Sequence, residues 1–360
     1  MEIVHLNDRK SAAAAGGSAR VVPVGSSAVS VHARLVRRAF ILGAGLGTRL
    51  RPLTAGLPKP LVPVWNRPLI THAFDHLIAA GAADELVVNT HHAAAAYARG
   101  FANRDYRGRP LHLRHEPVLL DTAGGLANVA DLLRDQPWAL VYNGDVLSDL
   151  PLAPAIAAHE GRDAEVTLIL RRQGPVTNVG FDPGSGHVVD VRGALGVAAP
   201  VAAQFTGIYL VTPRFLRRLE PGRIESVAAV WQRMLAAGQP LHGVLADEGW
   251  WLDLGHTDAY LEAHRELARQ FQPGATVRFP RHAAGIDGGP AAALGPRISP
   301  TARLADAGVG IDPWTVVGAD ARIGQGVVLQ GCVVWPDAEV PAGSRWRHRV
   351  VQPGEAPADG

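Results

Sequence analysis

The chain has 360 residues, enough for two domains or for one large domain with an appendage. Apolar residues make up 47% of it and charged residues 19%, which is typical of a folded globular protein rather than a disordered one. The net charge of +2 and the absence of a long charge run argue against a basic nucleic-acid-binding surface. No apolar stretch reaches membrane-spanning length. We therefore expect neither a nucleic-acid nor a membrane partner.

Cysteine usage and the N-terminal residues bear on the cellular compartment. Cys332 is the only cysteine, so the chain cannot form an internal disulfide, and it fits a reducing compartment. The N-terminus carries Glu2 and Asp8 and lacks the apolar core of a secretory signal. We expect a cytoplasmic protein.

Residues 1–37 differ in composition from the rest of the chain. Residues 11–18 are rich in alanine, glycine and serine, and no apolar period persists long enough to predict an element. Residues 21–31 alternate loosely, as an edge strand would. We predict a flexible N-terminal extension and assign it no function.

Residues 39–64 have the pattern of a phosphate-binding loop. A short apolar run at 39–42 predicts a buried strand. Three glycines follow it at alternate positions: Gly43, Gly45 and Gly47. The backbone N–H groups of such glycines can surround phosphate oxygens. Arg49 and Lys59 add positive charge, and the prolines on either side of Lys59 limit where its ammonium can point. The segment therefore predicts a triphosphate site.

Two common phosphate loops do not fit this segment. The dinucleotide-binding fingerprint requires a glycine where this chain has Thr48, and the P-loop requires Gly-Lys-Ser/Thr directly before a helix. The run from Gly45 to Pro60 reads G-x-G-x-R-L-x-P-L-T with a following P-K-P, and it resembles the signature of the sugar-1-phosphate nucleotidyltransferases. The resemblance is greatest to members like the mannose-1-phosphate guanylyltransferases and the N-acetylmuramate-1-phosphate uridylyltransferases.

The resemblance implies roles for the residues of this loop. Arg49 would stabilise the β- and γ-phosphates of a nucleotide, and Lys59 would neutralise charge on the reacting phosphates. The other implied nucleotide-binding residues of the loop are Leu42, Gly43, Ala44, Gly45, Gly47 and Thr48. An ordinary strand-to-turn connection is the alternative interpretation.

The following segments alternate between helix and strand patterns. Asn66, followed by Arg67 and Pro68, predicts a capped helix start, and apolar residues at helical spacing continue to Gly81. Strands are predicted at 85–89 and 111–114, with a helix at 93–99 between them. This alternation predicts an α/β fold with a Rossmann-like, mostly parallel sheet covered on both faces.

Residues 121–126 are a second candidate for nucleotide binding. Gly124 and Gly125 precede a predicted helix at 126–133, where a flat ring can lie against the backbone. A similar segment contacts the nucleobase in the family, which implies Thr122, Gly124 and Gly125 as binding residues. A capped helix start, with Asp121 or Thr122 as the cap, is the alternative.

Two aspartates are candidates for holding a metal ion. Asp145 follows a buried strand, and ligands gather beyond the carboxyl ends of parallel strands. A carboxylate there can hold Mg²⁺ against phosphate oxygens, although a solvated or capping aspartate is the alternative. The N-G-D-V sequence resembles the metal-binding element of the family. Residues 249–256 resemble its G-x-W-x-D-x-G-T element, which implies Asp253 as the second Mg²⁺ ligand. His256 replaces the threonine, and we expect it at the rim.

The sugar half of the site departs from the family pattern. Residues 205–210 resemble the strand that forms the floor of the sugar site, which implies a sugar-phosphate role for Gly207. The family often carries Glu-Lys-Pro between this strand and the one before it, and the nearest equivalent here is Val191-Arg192-Gly193. Arg192 could take over the phosphate contact; a surface arginine in a turn is the alternative.

Beyond residue 272 the composition shifts to proline, glycine and alanine, and a new period follows. Apolar residues recur every six positions at Ile311, Val317, Ile323, Leu329 and Trp335, with Ile298 and Leu304 one register earlier. This period predicts a short left-handed β-helix in which each face contributes one inward residue. A loop-rich β tail is the alternative. The tryptophans of this region, Trp314, Trp335 and Trp346, suggest a packing surface or a homo-oligomer formed through the coils.

The sequence thus predicts three regions: an extension at 1–37, a nucleotidyltransferase domain at 38–271, and a linker with a short β-helix at 272–360. The resemblance implies an enzyme that converts an NTP and a sugar-1-phosphate to an NDP-sugar and pyrophosphate, with Mg²⁺ as cofactor. Two alternatives stay open: a non-catalytic sugar-nucleotide-binding subunit on the same fold, and a bifunctional enzyme with acyltransfer in the coils. The sequence leaves the base and the sugar open.

Overall fold

The fold is that of a computed structural model, which describes residues 36–270 and 296–354. The predictions for residues 1–35 and for the linker at 272–295 lie outside the described residues. No helix within the described ranges is long and apolar enough to cross a bilayer.

The first part of the described chain alternates between strands and helices. Its helices are α1 (Ile70–Ala79), α2 (Ala94–Gly100), α3 (Asp121–Asn128), α4 (Ala130–Leu133), α5 (Ala153–Glu160), α6 (Pro213–Leu216), α7 (Val227–Ala236) and α8 (Thr257–Gln270). Its strands are β1 (Arg38–Leu42), β2 (Pro63–Val64), β3 (Arg67–Pro68), β4 (Glu85–Thr90), β5 (Asp105–Tyr106), β6 (Arg109–His115), β7 (Ala139–Asn143), β8 (Val146–Ser148), β9 (Val166–Arg171), β10 (Val179–Asp182), β11 (His187–Val191), β12 (Val201–Val211), β13 (Leu241–Leu245) and β14 (Trp251–Asp253). Two single 3₁₀ turns, Thr48–Leu50 and Lys59–Leu61, follow β1.

Ten of these strands form one sheet, in the order β10-β11-β13-β9-β12-β7-β1-β4-β6-β5. Strand β1 pairs in parallel with β4 and β7, β4 with β6, and β9 with β13. Strand β12 runs antiparallel to both of its neighbours, β7 and β9. The predicted α/β fold is confirmed, with parallel pairing around β1 and between β9 and β13. Five of the nine neighbouring pairs are antiparallel, and the sequence pattern did not indicate this mixture.

Helices cover both faces of the sheet because successive side chains of a strand point to opposite faces. Phe40 packs in one core with residues of α3 and α7, whereas its neighbour Ile41 packs in a second core with residues of α1 and α2. The short apolar run at the start of the phosphate loop is therefore buried on both sides. This burial fixes the point from which the glycine loop leaves the sheet.

The structure corrects two predicted helix starts. Helix α1 begins at Ile70, and Asn66 does not cap it; Trp65 and Asn66 instead form the turn between β2 and β3, with φ of 51° and 62°. Asparagine tolerates this left-handed conformation better than most residues, which favours the turn over the cap. Helix α3 begins at Asp121, so the predicted base-binding segment forms its first turn.

The last described residues form the predicted β-helix. Its strands are β15 (Arg303–Leu304), β16 (Gly310–Ile311), β17 (Val316–Val317), β18 (Arg322–Ile323), β19 (Val328–Gln330), β20 (Val333–Val334), β21 (Glu339–Val340), β22 (Arg345–Arg347) and β23 (Val350–Val351). They make three parallel sheets, β15-β18-β21, β16-β19-β22 and β17-β20-β23, one for each face of the coil. The six-residue period is therefore confirmed as a coiled β structure.

Two of the residues predicted to point into the coil, Leu304 and Trp335, do not lie in its interior. Val317, Ile323 and Leu329 are buried in the coil interior, but Leu304 is 38% exposed. Val334, not Trp335, continues the interior, because it lies five positions after Leu329 rather than six, across the corner that contains Gly331 and the buried Cys332. Trp335 consequently packs outside the coil, against residues of the first part of the chain.

Candidate active site

A cavity of about 480 Å³ lies at the carboxyl ends of β1, β4 and β7, which contribute Leu42, Asn89 and Asn143 to its lining. The other lining residues are Ala44, Gly45, Leu46, Gly47, Thr48, Arg49, Leu50, Lys59, Pro60, Leu119, Asp121, Thr122, Asp145, Ile224 and Gly255. This edge of a parallel sheet is where open α/β proteins bind their ligands.

Most of the site residues predicted from the sequence line this cavity. They are Leu42, Ala44, Gly45, Gly47, Thr48, Arg49, Lys59, Thr122 and Asp145. The predicted site residues that are not in the lining are Gly43, Gly124, Gly125, Arg192, Gly207 and Asp253. Among these, Asp253 lies beside Lys59, and three of the glycines pack directly behind lining residues, as described below.

The glycine loop is held in place by its own threonine and by Lys59. Gly47 has a φ of 61°, and its carbonyl accepts hydrogen bonds from Leu50 N at 3.0 Å and from Thr54 Oγ1 at 2.7 Å. A Cβ at Gly47 would come within 3.0 Å of Lys59 Cβ. Both the left-handed backbone and the close approach require glycine here. The loop therefore packs directly against the segment that carries Lys59.

Lys59 lies between the two predicted metal-binding aspartates. Its Nζ is 2.7 Å from Asp145 Oδ2 and 3.4 Å from Asp253 Oδ1. The lysine side chain is only 7% exposed, whereas the two carboxylates are 32% and 37% exposed. The three groups thus form one charged cluster whose carboxylates remain open to solvent.

Strand pairing explains why the two aspartates meet although they are far apart in sequence. Strand β8 begins directly after Asp145, and β14 ends at Asp253. The two strands pair antiparallel, with Asp253 opposite Val146. This register brings the carboxylate at the end of β14 next to the residue that precedes β8.

The residues present fit a divalent metal ion. The Lys59 ammonium already occupies a position between two carboxylates, so the cluster accommodates a cation. The described part of the chain contains no group of three or more His, Cys, Asp or Glu side chains arranged for a metal. A hard cation held by two carboxylates would complete its shell with water and phosphate oxygens, which is the usual arrangement for Mg²⁺.

A buried network that sequence reasoning missed links the glycine loop to the second loop of the cavity. Gly43 N donates to Asn89 Oδ1 at 2.7 Å, and Asn89 Nδ2 donates to Glu116 Oε1 at 2.7 Å. Glu116 is fully buried, and its other oxygen accepts from Leu120 N at 3.1 Å. A Cβ at Gly125 would lie 2.7 Å from Asn89 Nδ2, so glycine is required for packing at that position. Asn89 and Glu116 therefore fix the spacing of both loops.

Tyr97 forms a hydrogen bond to the backbone of the glycine loop. Its hydroxyl donates to Gly43 O at 2.9 Å. Burial raises the pKa of Tyr97 above its usual value, and the nearby Asp145 carboxylate adds to this effect. The hydroxyl therefore stays protonated and remains a donor at any physiological pH.

The predicted base-binding segment is tied to the loop before α7. Thr122 Oγ1 accepts a hydrogen bond from Val227 N at 2.8 Å. Thr122 therefore provides an acceptor for the first backbone N–H of α7 and does not cap its own helix. Ala123 N donates to Glu225 O at 2.9 Å. A Cβ at Gly124 would lie 2.2 Å from Arg223 O, so this glycine allows the two segments to touch.

Apolar side chains near the start of α3 and in the loop before α7 also line the cavity. Sequence reasoning missed these side chains as well. Ile224 is 64% exposed and lines the cavity together with Leu119 and Leu46. Ile224 lies between the charged Arg223 and Glu225, near the end of the loop that precedes α7. An apolar residue between two charged residues of a loop is a signal that could have drawn attention to it.

The residues predicted for the sugar half, and His256, lie in different local settings. Gly207 is buried, with a φ of 79°, and a Cβ there would lie 2.7 Å from the side chain of the cavity-lining Asn143. Arg192 is exposed in the turn after β11. His256 is exposed, and its Nδ1 accepts from Ala259 N at 3.3 Å in the first turn of α8. The roles of Arg192 and Gly207 stay predictions.

Comparison with known proteins gives matches over both parts of the chain. The Nucleotidyl transferase family profile matches residues 38–190. The mannose-1-phosphate guanylyltransferase of Mycobacterium tuberculosis is 32% identical over 308 residues, which cover 85% of this chain and 81% of that protein. The mannose-1-phosphate guanyltransferase of Schizosaccharomyces pombe is 34% identical over 230 residues, 62% of each chain. The crystal structure of HddC from Yersinia pseudotuberculosis shares the fold, with a TM-score of 0.51, 18% identity and coverage of 63% of this chain and 97% of that one.

Fold, cavity and relatives agree on an enzyme that transfers a nucleotidyl group. The chain belongs to the sugar-1-phosphate nucleotidyltransferase family. The relatives are named for catalytic activity, so the interpretation as a non-catalytic subunit is not favoured.

Proposed function

We propose that the protein catalyses the attack of a sugar-1-phosphate on the α-phosphorus of an NTP, forming an NDP-sugar and pyrophosphate. The observation that carries the proposal is the cluster of Lys59, Asp145 and Asp253 beside a glycine loop that lines a cavity. Such a reaction needs little covalent chemistry from the protein, because positioning and charge neutralisation provide most of the catalysis.

The glycine loop and Arg49 would bind the triphosphate. Gly45 is exposed, and a Cβ at this position would meet nothing within 4 Å, so phosphate oxygens can approach its backbone. Arg49 lines the same cavity and offers a planar set of N–H donors to the β- and γ-phosphates. These contacts would orient the α-phosphorus toward the cluster around Lys59.

In the proposed reaction, a phosphate oxygen of the sugar-1-phosphate forms a bond to the α-phosphorus. The bond from the α-phosphorus to the bridging oxygen of the β-phosphate breaks, and pyrophosphate leaves with that electron pair. Lys59 would neutralise charge on the reacting phosphates, and Arg49 would stabilise the departing pyrophosphate. No proton has to be removed from the attacking group, because the sugar phosphate is already anionic.

Asp145 and Asp253 would hold a divalent metal ion, which we propose to be Mg²⁺. When bound, such an ion supplies positive charge next to the phosphate oxygens. The ammonium of Lys59 must then move from its position between the carboxylates toward the substrate phosphates. Its short distance to Asp145 supports a shared site in which lysine and metal ion compete for the same carboxylates.

The relatives suggest which substrates to test first. The M. tuberculosis and S. pombe proteins are named for transfer of a guanylyl group to mannose 1-phosphate. We therefore propose GTP and mannose 1-phosphate as the preferred pair. The apolar side chains of Leu46, Leu119 and Ile224 would pack against the base, whichever base it is.

The test is a panel of NTPs combined with sugar-1-phosphates, with pyrophosphate release as the measured quantity. We expect one pair to give faster pyrophosphate release than the others, and no pyrophosphate release in the presence of excess EDTA.

Variants of Lys59 are the matched test of the charged cluster. We expect Lys59→Ala to slow pyrophosphate release strongly and Lys59→Arg to restore little of it, since a guanidinium fork cannot replace a point charge. Release by none of the pairs, with the protein folded and Mg²⁺ present, would exclude the proposed function.

A further inference from the structure

The cluster of charged residues rests on a buried apolar cluster that the C-terminal coils help to form. We call this the rear cluster; its relevant members from the first part of the chain are Leu50, Val62, Leu147 and Leu254, and those from the coils are Val316, Val333, Trp335 and Val350. The first four lie one to three positions along the chain from Arg49, Lys59, Asp145 and Asp253, respectively. The coils therefore pack behind all four residues to which we assign catalytic roles.

A hydrogen-bonded path runs from the coils to the segment that carries Lys59. Trp335 Nε1 donates to the hydroxyl of Tyr260 at 3.1 Å. The same hydroxyl donates to the carbonyl of Pro63. Pro63 follows the 3₁₀ turn of Lys59, in which Val62 N donates to Lys59 O at 3.1 Å. Because Tyr260 is fully buried, water cannot replace either of these hydrogen-bond partners of its hydroxyl.

The β2–β3 hairpin is also held at its tip. Asn66 Nδ2 donates to the carbonyl of Val317 in the coils at 3.0 Å and to that of Arg297 at 3.2 Å. Trp65 N donates to Nε2 of the buried His264 in α8 at 3.1 Å. The hairpin that follows Lys59 is thus fixed at its start by Tyr260 of α8, and at its tip by His264 of α8 and by the coils.

We propose that the C-terminal coils position Lys59 for the reaction, and that they act through Trp335, Tyr260 and the carbonyl of Pro63. Tyr260 is a positioning residue, since it does not line the cavity. The inference rests on the proposed function, in which Lys59 acts on the reacting phosphates. A small displacement of such a group lowers the rate because reacting groups must be closely aligned.

The chain allows the position of Lys59 to be measured without catalysis. It contains two lysines, Lys10 and Lys59, so amine labelling reports on Lys59 with little interference. The Lys59 ammonium is paired with two carboxylates and is nearly buried, so we expect slow reductive methylation in the wild-type protein. Peptide mass spectrometry gives the methylation rate of Lys59 relative to that of Lys10.

Tyr260→Phe removes the hydroxyl and keeps the buried ring. We expect methylation of Lys59 to become several-fold faster and kcat to fall by about tenfold, while KM for the NTP changes by less than about twofold. Trp335→Phe removes the indole N–H that donates to Tyr260 and shortens the buried ring, but it leaves the Tyr260 bond to Pro63 in place, so we expect changes in the same direction but smaller. If Tyr260→Phe does not fold, Trp335→Phe decides the question by the same two measurements.

Tyr209→Phe is the matched control. Tyr209 is also almost fully buried, but its hydroxyl has no hydrogen-bond partner among the described residues, so its removal should change neither rate. Folded Tyr260→Phe protein with unchanged methylation of Lys59 and unchanged kcat would overturn the inference, even if its melting temperature fell. If the wild-type protein forms no NDP-sugar, the proposed function fails, and the methylation rates alone decide whether the coils position Lys59.

Discussion

At the scale of single residues, the site depends on the ammonium group of Lys59, which pairs with two carboxylates. Lys59 is closer to Asp145 than to Asp253, and both carboxylates are partly open to the solvent. Each aspartate can therefore be altered without leaving the lysine unpaired. This geometry separates the effect of a variant on folding from its effect on metal binding.

Asp253→Asn tests the proposed metal site. The amide is nearly isosteric, and Lys59 keeps its 2.7 Å contact with Asp145, so we expect the melting temperature to stay close to that of the wild type. Turnover should fall by at least about 100-fold, since losing one well-placed charged group costs about 3 kcal/mol of transition-state stabilisation. Near-normal turnover at saturating Mg²⁺ would remove Asp253 from the site.

Ile224→Ser tests the proposed contact with the base. Removing an apolar contact made equally in ground and transition states raises KM and leaves kcat unchanged. We expect KM for the NTP to rise by about tenfold, with KM for the sugar-1-phosphate unaffected. Val118→Ser is the control, because Val118 is 57% exposed but does not line the cavity. Equal effects of the two substitutions on KM would argue against a role for Ile224.

At the scale of elements, the sequence predicts what depends on local pattern and misses what depends on pairing. The strand before the glycine loop and the coil repeat could be predicted because both follow a simple apolar period. The position of Trp335 could not, because one coil corner is a residue shorter than the six-residue period, which moves the inward position from Trp335 to Val334. The sequence predicts a helix cap at Asn66, where the structure has a turn, because asparagine favours both structures.

In the candidate site as well, features that follow from a local sequence pattern could be predicted, and features that depend on pairing between distant segments could not. The glycine loop and Asp145 follow directly from strand ends, whereas Asp253 could be placed only by resemblance. The pairing of β8 with β14 joins segments distant in sequence, and no local pattern encodes it. The network of Asn89 and Glu116 was missed because a lone buried glutamate has no signal in sequence.

Helix α8 gives the fold a dependence on pH through His264. Burial lowers the pKa of His264 to about 4, from about 6.5 in an unfolded chain. The unfolded state binds more protons between these values, so the free energy of unfolding decreases as the pH falls from about 6.5 to about 4, by about 3 kcal/mol in all. Burial also lowers the pKa of His159 to about 4 and lowers that of His242, so other histidines of the wild type contribute in the same direction.

Urea denaturation at several pH values checks this expectation. In His264→Gln, the side-chain oxygen can still accept from Trp65 N, but the residue no longer titrates. We expect a shallower decrease in stability between pH 6.5 and 4.5 than in the wild type. Parallel curves for the two proteins would show that His264 does not contribute.

At the scale of the whole molecule, the catalytic part and the coils share a buried cluster. Trp335 and Val333 from the coils pack with Leu50 and Leu254 of the first part of the chain. The division at residue 271 remains a prediction, as do the homo-oligomer through the coils and the cytoplasmic location. The alignment with the M. tuberculosis protein covers 85% of the chain, so it extends beyond the residues that line the cavity.

The central claim is that an oxygen of the sugar phosphate attacks the α-phosphorus and releases pyrophosphate. The most direct measurement is ³¹P NMR of the products formed from a sugar-1-phosphate whose non-bridging phosphate oxygens are ¹⁸O, with the best NTP of the panel. We predict an isotope shift on both phosphorus signals of the NDP-sugar, because the labelled oxygen becomes their bridge, and none on pyrophosphate. Label in the pyrophosphate, or an unshifted α-phosphorus, would contradict the proposed reaction.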